Sequence, residues 1–583
     1  MGIISGQFLL TQPIKSMNKF SFIDYVIFII YFLVVSCYGF WVYSRKKKKG
    51  TTGSHDFFLA EGSLTWWAIG ASLIASNISA EQFIGASGQG FQVGLAVAAY
   101  EWIAAIALIV VAVWFIPVYL KNKIFTMPQF LETRYNKTVS LIMAIFWLFL
   151  YIFVNLTSIL FLGALAINSL AGGGYLHEII IGLAIFSLVI ALGGMKVIGF
   201  TDVIQVLVLV IGGLATTYIA LTLVSEHFGM GKDAIAGFNA LLKDAPDHFK
   251  MILPKPTASS SQEEIDKYLL LPGIAMYFAG QWIVNLNYWG CNQYITQRAL
   301  GSDLKTARTG ILFAGLMKLA MPIIVVLPGI AAYVLYKNGG IQHEMTVGGH
   351  LNPDNAYSSV LGFLPNGLKG LSVAALTAAI VASLAGKANS ISTIFTLDIY
   401  KKYINKKAGE QSMVKMGKII IALSLFISII LTWQDLLGIG GEGGFTFIQK
   451  YTGFISPGIF AIFILGFFWK RTTGAGAITG ILMGFAMSVL FNNYAPTLFG
   501  HETLLYTAYY NSSSHQFEIP FLICMGLSFM FTMIAIIAVS LAGPKINPKA
   551  FAIDRAMFKL APSTLSLIVI TLLLLTTLYV KFW

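Results

Sequence analysis

Glu81, Glu101, Asp202, Lys318 and Lys387 all lie inside long apolar runs, with the amides Asn77, Gln82, Asn285 and Gln449 close by. At mid-bilayer an ionisable side chain costs roughly 2.5–3.5 kcal/mol on insertion scales, so it persists where protein or water surrounds it. Counted along their runs at 1.5 Å per helical residue, Gln82, Glu101, Asn285 and Lys318 each lie about 14–24 Å into a hydrocarbon layer about 30 Å thick. Four separate runs therefore bring polar groups to one depth. One acid, one base and several amides supply donors and acceptors with no net charge, an inventory suited to the hydroxyls of a neutral sugar. The competing reading is a buried hydrogen-bond network that only fixes helix packing. Ser76-Asn77-Ile78-Ser79 interrupts its run, and Asn285, Tyr288, Trp289 and Asn292 recur at helical spacing in another. Both stretches read as broken helices, whose freed carbonyls can hold a small cation where they line a cavity.

Lipid-facing helices must position these groups. Hydrophobic residues make up 57% of the 583, and charged residues only 11%, against roughly 25% charged in soluble chains. The expected class is an all-α integral membrane protein with fourteen spans at 24–44, 66–90, 92–117, 139–168, 176–196, 200–224, 271–297, 308–336, 357–398, 416–434, 442–468, 474–492, 518–542 and 562–582. The ninth is long enough to begin with an external re-entrant turn. The net charge of +13 would suggest nucleic acid in a soluble protein. Here the basic residues sit in short loops, where excess Lys and Arg mark the cytoplasmic side. The segments 45–65, 118–138, 298–308, 399–415, Lys470-Arg471 and 543–561 are basic, whereas 225–270 is slightly acidic and 493–517 has no Lys or Arg. That alternation places both termini outside. Arg45 to Lys49 follow the first span, the reverse of a cleaved signal peptide. Cys37, Cys291 and Cys524 lie in apolar runs and read as core residues. All eight histidines fall in loops or at span ends, against a histidine metal site in the membrane. Residues 1–583 form one membrane domain.

Several stretches carry a resemblance: 66–72 (Trp66-Trp67-Ala68-Ile69-Gly70-Ala71-Ser72), 77–85 from Asn77 to Gly85, Tyr100-Glu101-Trp102, 151–158 from Tyr151 to Ser158, 201–205 from Thr201 to Gln205, Tyr288-Trp289-Gly290, Ile394-Phe395-Thr396 and Asp398-Ile399-Tyr400. In these the chain resembles the sodium/solute symporter family, nearly end to end. The resemblance implies a leucine-transporter-type core of two inverted five-helix repeats, about 66–224 and 271–468. Spans 24–44, 474–492, 518–542 and 562–582 would be peripheral. It implies that Asn77, Gln82, Glu101, Asn285, Lys318 and Gln449 contact a sugar and that Tyr288 closes it from the inside. It also implies that Tyr100 and Phe445 form an outer gate (with Ala86 where a methionine is expected) and that Asp202 lies on a sodium exit path. The implied location is a plasma membrane, the bacterial inner membrane.

The family pattern also implies a sodium site from the carbonyls of Ala75, Ile78 and Ala379 with two adjacent hydroxyls. Here that pair is Ala382-Ser383, so only Ser383 supplies one. Lys387 follows four residues later on the same helical face. Helical side chains lean toward the N-terminus, so its ammonium either reaches the cation site, weakening or partly replacing sodium, or snorkels into a wet inner vestibule. The implied activity is sodium-coupled import of a neutral sugar of the galactose/glucose class, with sodium, sugar and lipid bilayer as partners, no nucleic acid and no enzymatic step. Inositol, sialic acid, an amino acid, or a non-concentrative sensor or sodium pore on the same fold stay open, as does the oligomeric state.

Overall fold

The computed structural model describes residues 21–48, 53–60, 64–79, 81–171, 173–347, 349–437, 449 and 452–583. Among them, nine helices are long and apolar enough to cross a membrane: Phe22–Arg45, Gly94–Lys121, Lys137–Leu170, Met195–His227, Leu368–Ile404, Glu410–Thr432, Gly474–Phe499, Phe521–Leu541 and Pro562–Phe582. The number rises to eleven if two bent pairs each count as one span, Gln262–Phe278 with Gly280–Gly290 and Leu304–Lys318 with Met321–Lys337. Three expected spans fall short of that length by themselves. The second is broken, the fifth is the 16-residue helix Leu176–Ala191, and the eleventh is described as a helix only over Ser456–Phe468. The chain is mainly helical, but two small antiparallel hairpins, Thr346–Val347 with His350–Leu351 and Tyr509–Asn511 with Gln516–Glu518, depart from the all-α expectation. Both lie in segments between spans, where backbone groups have solvent as an alternative partner.

The breaks follow local chemistry. Helix Trp66–Asn77 ends at Ile78, whose backbone is extended at φ −82° and ψ 98°. The chain resumes as a π-helical stretch, Glu81–Ala86. This break falls within the polar Ser76–Ser79 stretch. The seventh span differs from expectation. Its polar-aromatic stripe sits on one regular helix, Gly280–Gly290, and the breaks flank it at Ala279 and at Cys291. Asn292 belongs to the next element, where its side chain caps helix Gln293–Leu300. The eighth span bends by 45° just before Pro322, which removes a helical donor. The ninth begins with a separate short helix, Ala356–Gly362, before Leu368–Thr393.

Small residues let the central helices approach closely, as membrane packing requires. A Cβ at Gly213 would lie 2.0 Å from the Ile324 Cγ2, so helix Met195–His227 packs backbone-close on its neighbour there. The segment between spans six and seven folds back over the start of span three. Gly94 has φ +80°, and a Cβ there would lie 2.3 Å from the His248 carbonyl. The buried His248 ring donates through Nε2 to the Phe91 carbonyl at 3.0 Å and stacks on Tyr333 with centroids 3.8 Å apart.

Burial lowers the His248 pKa from 6.5 to about 4. A histidine buried neutral stabilises the fold fully above its unfolded pKa, and this contribution is lost as pH falls from 6.5 toward 4. The loss amounts to roughly 3 kcal/mol. His248→Gln should therefore show a flatter dependence of stability on pH between 7 and 4 than wild type, read by chemical unfolding. Equal slopes for the two proteins would refute this assignment.

Candidate functional site

Asn77, Gln82, Glu101, Asn285, Lys318 and Gln449 line one cavity, of about 970 Å³ counted to its open mouth. The six come from five of the expected spans, and Tyr100 and Tyr288 line the same space. Phe445 lies outside the described residues.

A buried ion pair anchors one wall. The Lys318 ammonium donates to the Glu101 carboxylate and to the Asn77 side-chain oxygen. Lys318 is 1% exposed and Glu101 4%. The ammonium also lies 5.3 Å from the ring centroid of Trp289, a distance at which the ring face attracts a cation. The pair ties span three to span eight beside the break in span two. The cavity's apolar lining comes from Trp147, Leu150, Val284, Ile455 and Ile459.

The residue types alone left five polar or aromatic lining side chains without a role: Trp147, Asn155, Asn287, Thr452 and Ser456. Asn287 donates to the Ser456 hydroxyl at 3.0 Å, joining spans seven and eleven. Its own Oδ1 is buried without a partner among the described residues, as is the Asn155 Nδ2. Buried polar atoms are nearly always hydrogen-bonded, and leaving one unmet costs about 1–3 kcal/mol. Asn155 sits within the quoted stretch Tyr151–Ser158, which was the available signal.

The expected cation residues Ala75, Ile78, Ala379 and Ser383 are all buried. The Ser383 hydroxyl donates to the Ser76 carbonyl at 3.0 Å, and the Tyr294 hydroxyl donates to the same oxygen. The end of helix Trp66–Asn77 and helix Leu368–Thr393 therefore meet at Ser76 and Ser383. Carbonyl and hydroxyl oxygens at an unwound helix end suit an alkali cation. Ala382 is buried and offers no oxygen beyond its backbone.

Asp202 is fully buried, with its Oδ2 accepting from the Ser72 hydroxyl and lying 3.8 Å from the Arg298 Nη2. Arg298 donates through Nε to Ser72 at 2.8 Å and through Nη1 to the Tyr294 carbonyl. Charge counting had placed Arg298 among the inside loop residues. Instead it is 1% exposed, because helix Gln293–Leu300 carries it back against Ser72. Lys387 is also buried and lines the same cavity.

The sequence profile of the Sodium:solute symporter family matches residues 57–484. A sodium/glucose cotransporter of Vibrio parahaemolyticus is 42% identical over 97% of this chain and 98% of its own length. A sodium/myo-inositol cotransporter 2 of Mus musculus is 33% identical over 82% of this chain and 70% of its own. Among solved structures, a Na+-coupled sialic acid symporter in a substrate-bound, outward-open state superposes with a TM-score of 0.73 at 20% identity, covering 91% of this chain and all of that one. The last likeness concerns the fold. On the profile match and these relatives, the chain belongs to the sodium:solute symporter family and is a sodium-coupled, multi-pass membrane transporter.

Proposed function

We propose that the protein imports a neutral sugar of the galactose/glucose class together with sodium, by alternating access. One observation carries this reading: six polar side chains from five spans line a single cavity. The Glu101–Lys318 pair offers both hydrogen-bonding senses, and the aromatic and aliphatic lining suits the apolar faces of a pyranose. Two of the relatives are sodium/glucose and sodium/myo-inositol cotransporters, and both of those solutes are neutral polyols.

In the proposed cycle, sodium binds between the break in span two and Ser383 of span nine. It steadies the unwound segment, which orders Asn77 and Gln82 for the sugar. Tyr100 and Phe445 close the outer side. Tyr288 then moves to release the sugar inward, and sodium leaves past Asp202. A unit charge crossing 100 mV is worth about 2.3 kcal/mol, enough for roughly fortyfold accumulation before the sodium gradient is counted. The reading includes fourteen spans with two inverted repeats, about 66–224 and 271–468, and both termini outside.

Counterflow in proteoliposomes tests it, with labelled glucose, galactose, myo-inositol and sialic acid, each with sodium and with choline. A hexose should exchange in sodium at least about tenfold faster than in choline. Exchange of sialic acid alone would overturn the neutral-sugar assignment. Exchange without accumulation under a sodium gradient would favour a sensor or pore.

A further inference from the structure

A second hollow, of about 610 Å³ counted to its open mouth, lies between helix Phe22–Lys48 and the junction of spans five and six. It shares no described lining residue with the cavity above. Val35, Ile190 and Val197 give it a buried apolar floor. Phe40 and Val189 line it too and are 71% and 56% exposed, so in a bilayer it opens to hydrocarbon. Along helix Phe22–Lys48 it runs from Val35 to Tyr43, about 12 Å at 1.5 Å per residue. Among its described lining residues, Lys418 is the charged one. Two close approaches fix the level of that lysine. A Cβ at Gly194 would lie 2.8 Å from Phe57, and one at Gly417 would lie 3.1 Å from Phe58. Lys418 therefore sits level with the 193–194 turn, at the end of the bundle where span one finishes in Arg45-Lys46-Lys47-Lys48-Lys49. Tyr38 and Trp41 stack about one turn before that run, and the Arg45 guanidinium lies 4.1 Å from the Trp41 ring centroid. Trp and Tyr collect at the membrane–water interface. This places Tyr43 and Lys418 at headgroup depth and Val35 in the hydrocarbon.

We propose that this hollow binds one anionic phospholipid, with an acyl chain along Val35, Phe40 and Val189 and the headgroup phosphate on the Lys418 ammonium. An apolar floor gives water few partners, whereas a flexible acyl chain fills it with dispersion contacts. A zwitterionic lipid makes the same chain contacts, so the choice between lipids falls to charge. Each Lys or Arg near the surface of an anionic membrane is worth about fivefold in binding. Charge also decides against a second copy of this chain as the occupant. In a parallel pair its own basic run would lie at the same level, and like charges brought together oppose association.

The test is photolabelling of the full chain in phosphatidylcholine vesicles that hold a trace of a diazirine-tailed phosphatidylglycerol or of its phosphatidylcholine analogue, with the adducts mapped by mass spectrometry. In wild type the phosphatidylglycerol probe should label residues 35–43 and 189–197 at least about fivefold more than the phosphatidylcholine probe. Lys418→Gln should bring the two probes within about twofold of each other, and Lys418→Arg should keep the preference. Val189→Trp, which fills the hollow, should remove both adducts while labelling elsewhere on the chain persists. Equal labelling by the two probes in wild type overturns the proposal, as does an unchanged preference in Lys418→Gln. If Lys418→Gln does not purify as a single species, the wild-type preference and Val189→Trp still decide. Absence of either adduct from these residues also overturns it. Cross-linking of two chains through the exposed Cys37 would then assign the hollow to a second copy.

Discussion

Lys318→Ala should reduce sodium-driven sugar uptake by at least about a hundredfold while the protein still inserts in the membrane. The ammonium removed holds Glu101 and the Asn77 side chain together across spans eight, three and two. Without it, Glu101 is a carboxylate buried beside the cavity with its cation gone. Removing one partner of a buried ion pair costs about 3–5 kcal/mol. That exceeds the ~2.8 kcal/mol equivalent to a hundredfold change. Water and neighbouring side chains crowd in around Glu101, which destroys the arrangement that would receive hydroxyls. Uptake of labelled sugar into proteoliposomes is the primary measurement, with chromatographic dispersity showing that the fold persists. The double variant Glu101→Gln with Lys318→Met separates stability from recognition. Neutralising both partners removes the unpaired charge and should restore much of the lost stability, yet uptake should remain absent because the charged hydrogen-bonding groups are gone. Wild-type uptake in Lys318→Ala would remove the cavity from the transport mechanism.

A second large effect is expected at Asp202. Asp202→Asn keeps the shape and the link to Ser72 but leaves the Arg298 guanidinium buried without its carboxylate. We expect a stability loss of about 3–5 kcal/mol, measured by denaturant unfolding in detergent. Arg298→Met alone should cost a similar amount, because it strands Asp202 instead. The double variant should recover most of either loss, since the two residues act as one unit and their separate costs do not add. Among the described residues the Asp202 Oδ1 and Arg298 Nη2 have no hydrogen-bond partner, so the pair is incompletely satisfied, a condition in which an apolar replacement is often neutral or stabilising. Additive losses in the double variant would show that the two side chains act independently. The same cluster touches Ser72 and the Tyr294 carbonyl, one turn from the break in span two. Asp202→Asn should accordingly also slow sodium release, seen as slower sodium efflux from loaded proteoliposomes.

What the sequence by itself determined was the membrane class, the broken second span and the polar residues of the cavity. The physical reason is cost. A charge or amide in a hydrocarbon-spanning helix is expensive enough that Glu101, Lys318 and Asn285 stand out without any knowledge of their partners. The polar Ser76–Ser79 stretch marked its own break for a similar reason, and helix Trp66–Asn77 ends within it. Tertiary structure decided which groups pair. Arg298 looked like a loop charge because it follows the apolar run of span seven, and nothing local announces that Asp202, 96 positions earlier, takes its charge. Asn287 differs from Asn285 by two positions on one helix, and only the rotation set by packing decides that both line the cavity. Trp147 was indistinguishable from a lipid-facing aromatic until its helix was packed. For Lys387 the sequence left two directions open, toward water or toward the ion. The rotation of helix Leu368–Thr393 against helix Trp66–Asn77 turned it inward, because close packing of small residues along those helices fixes which face meets the cavity and which meets lipid.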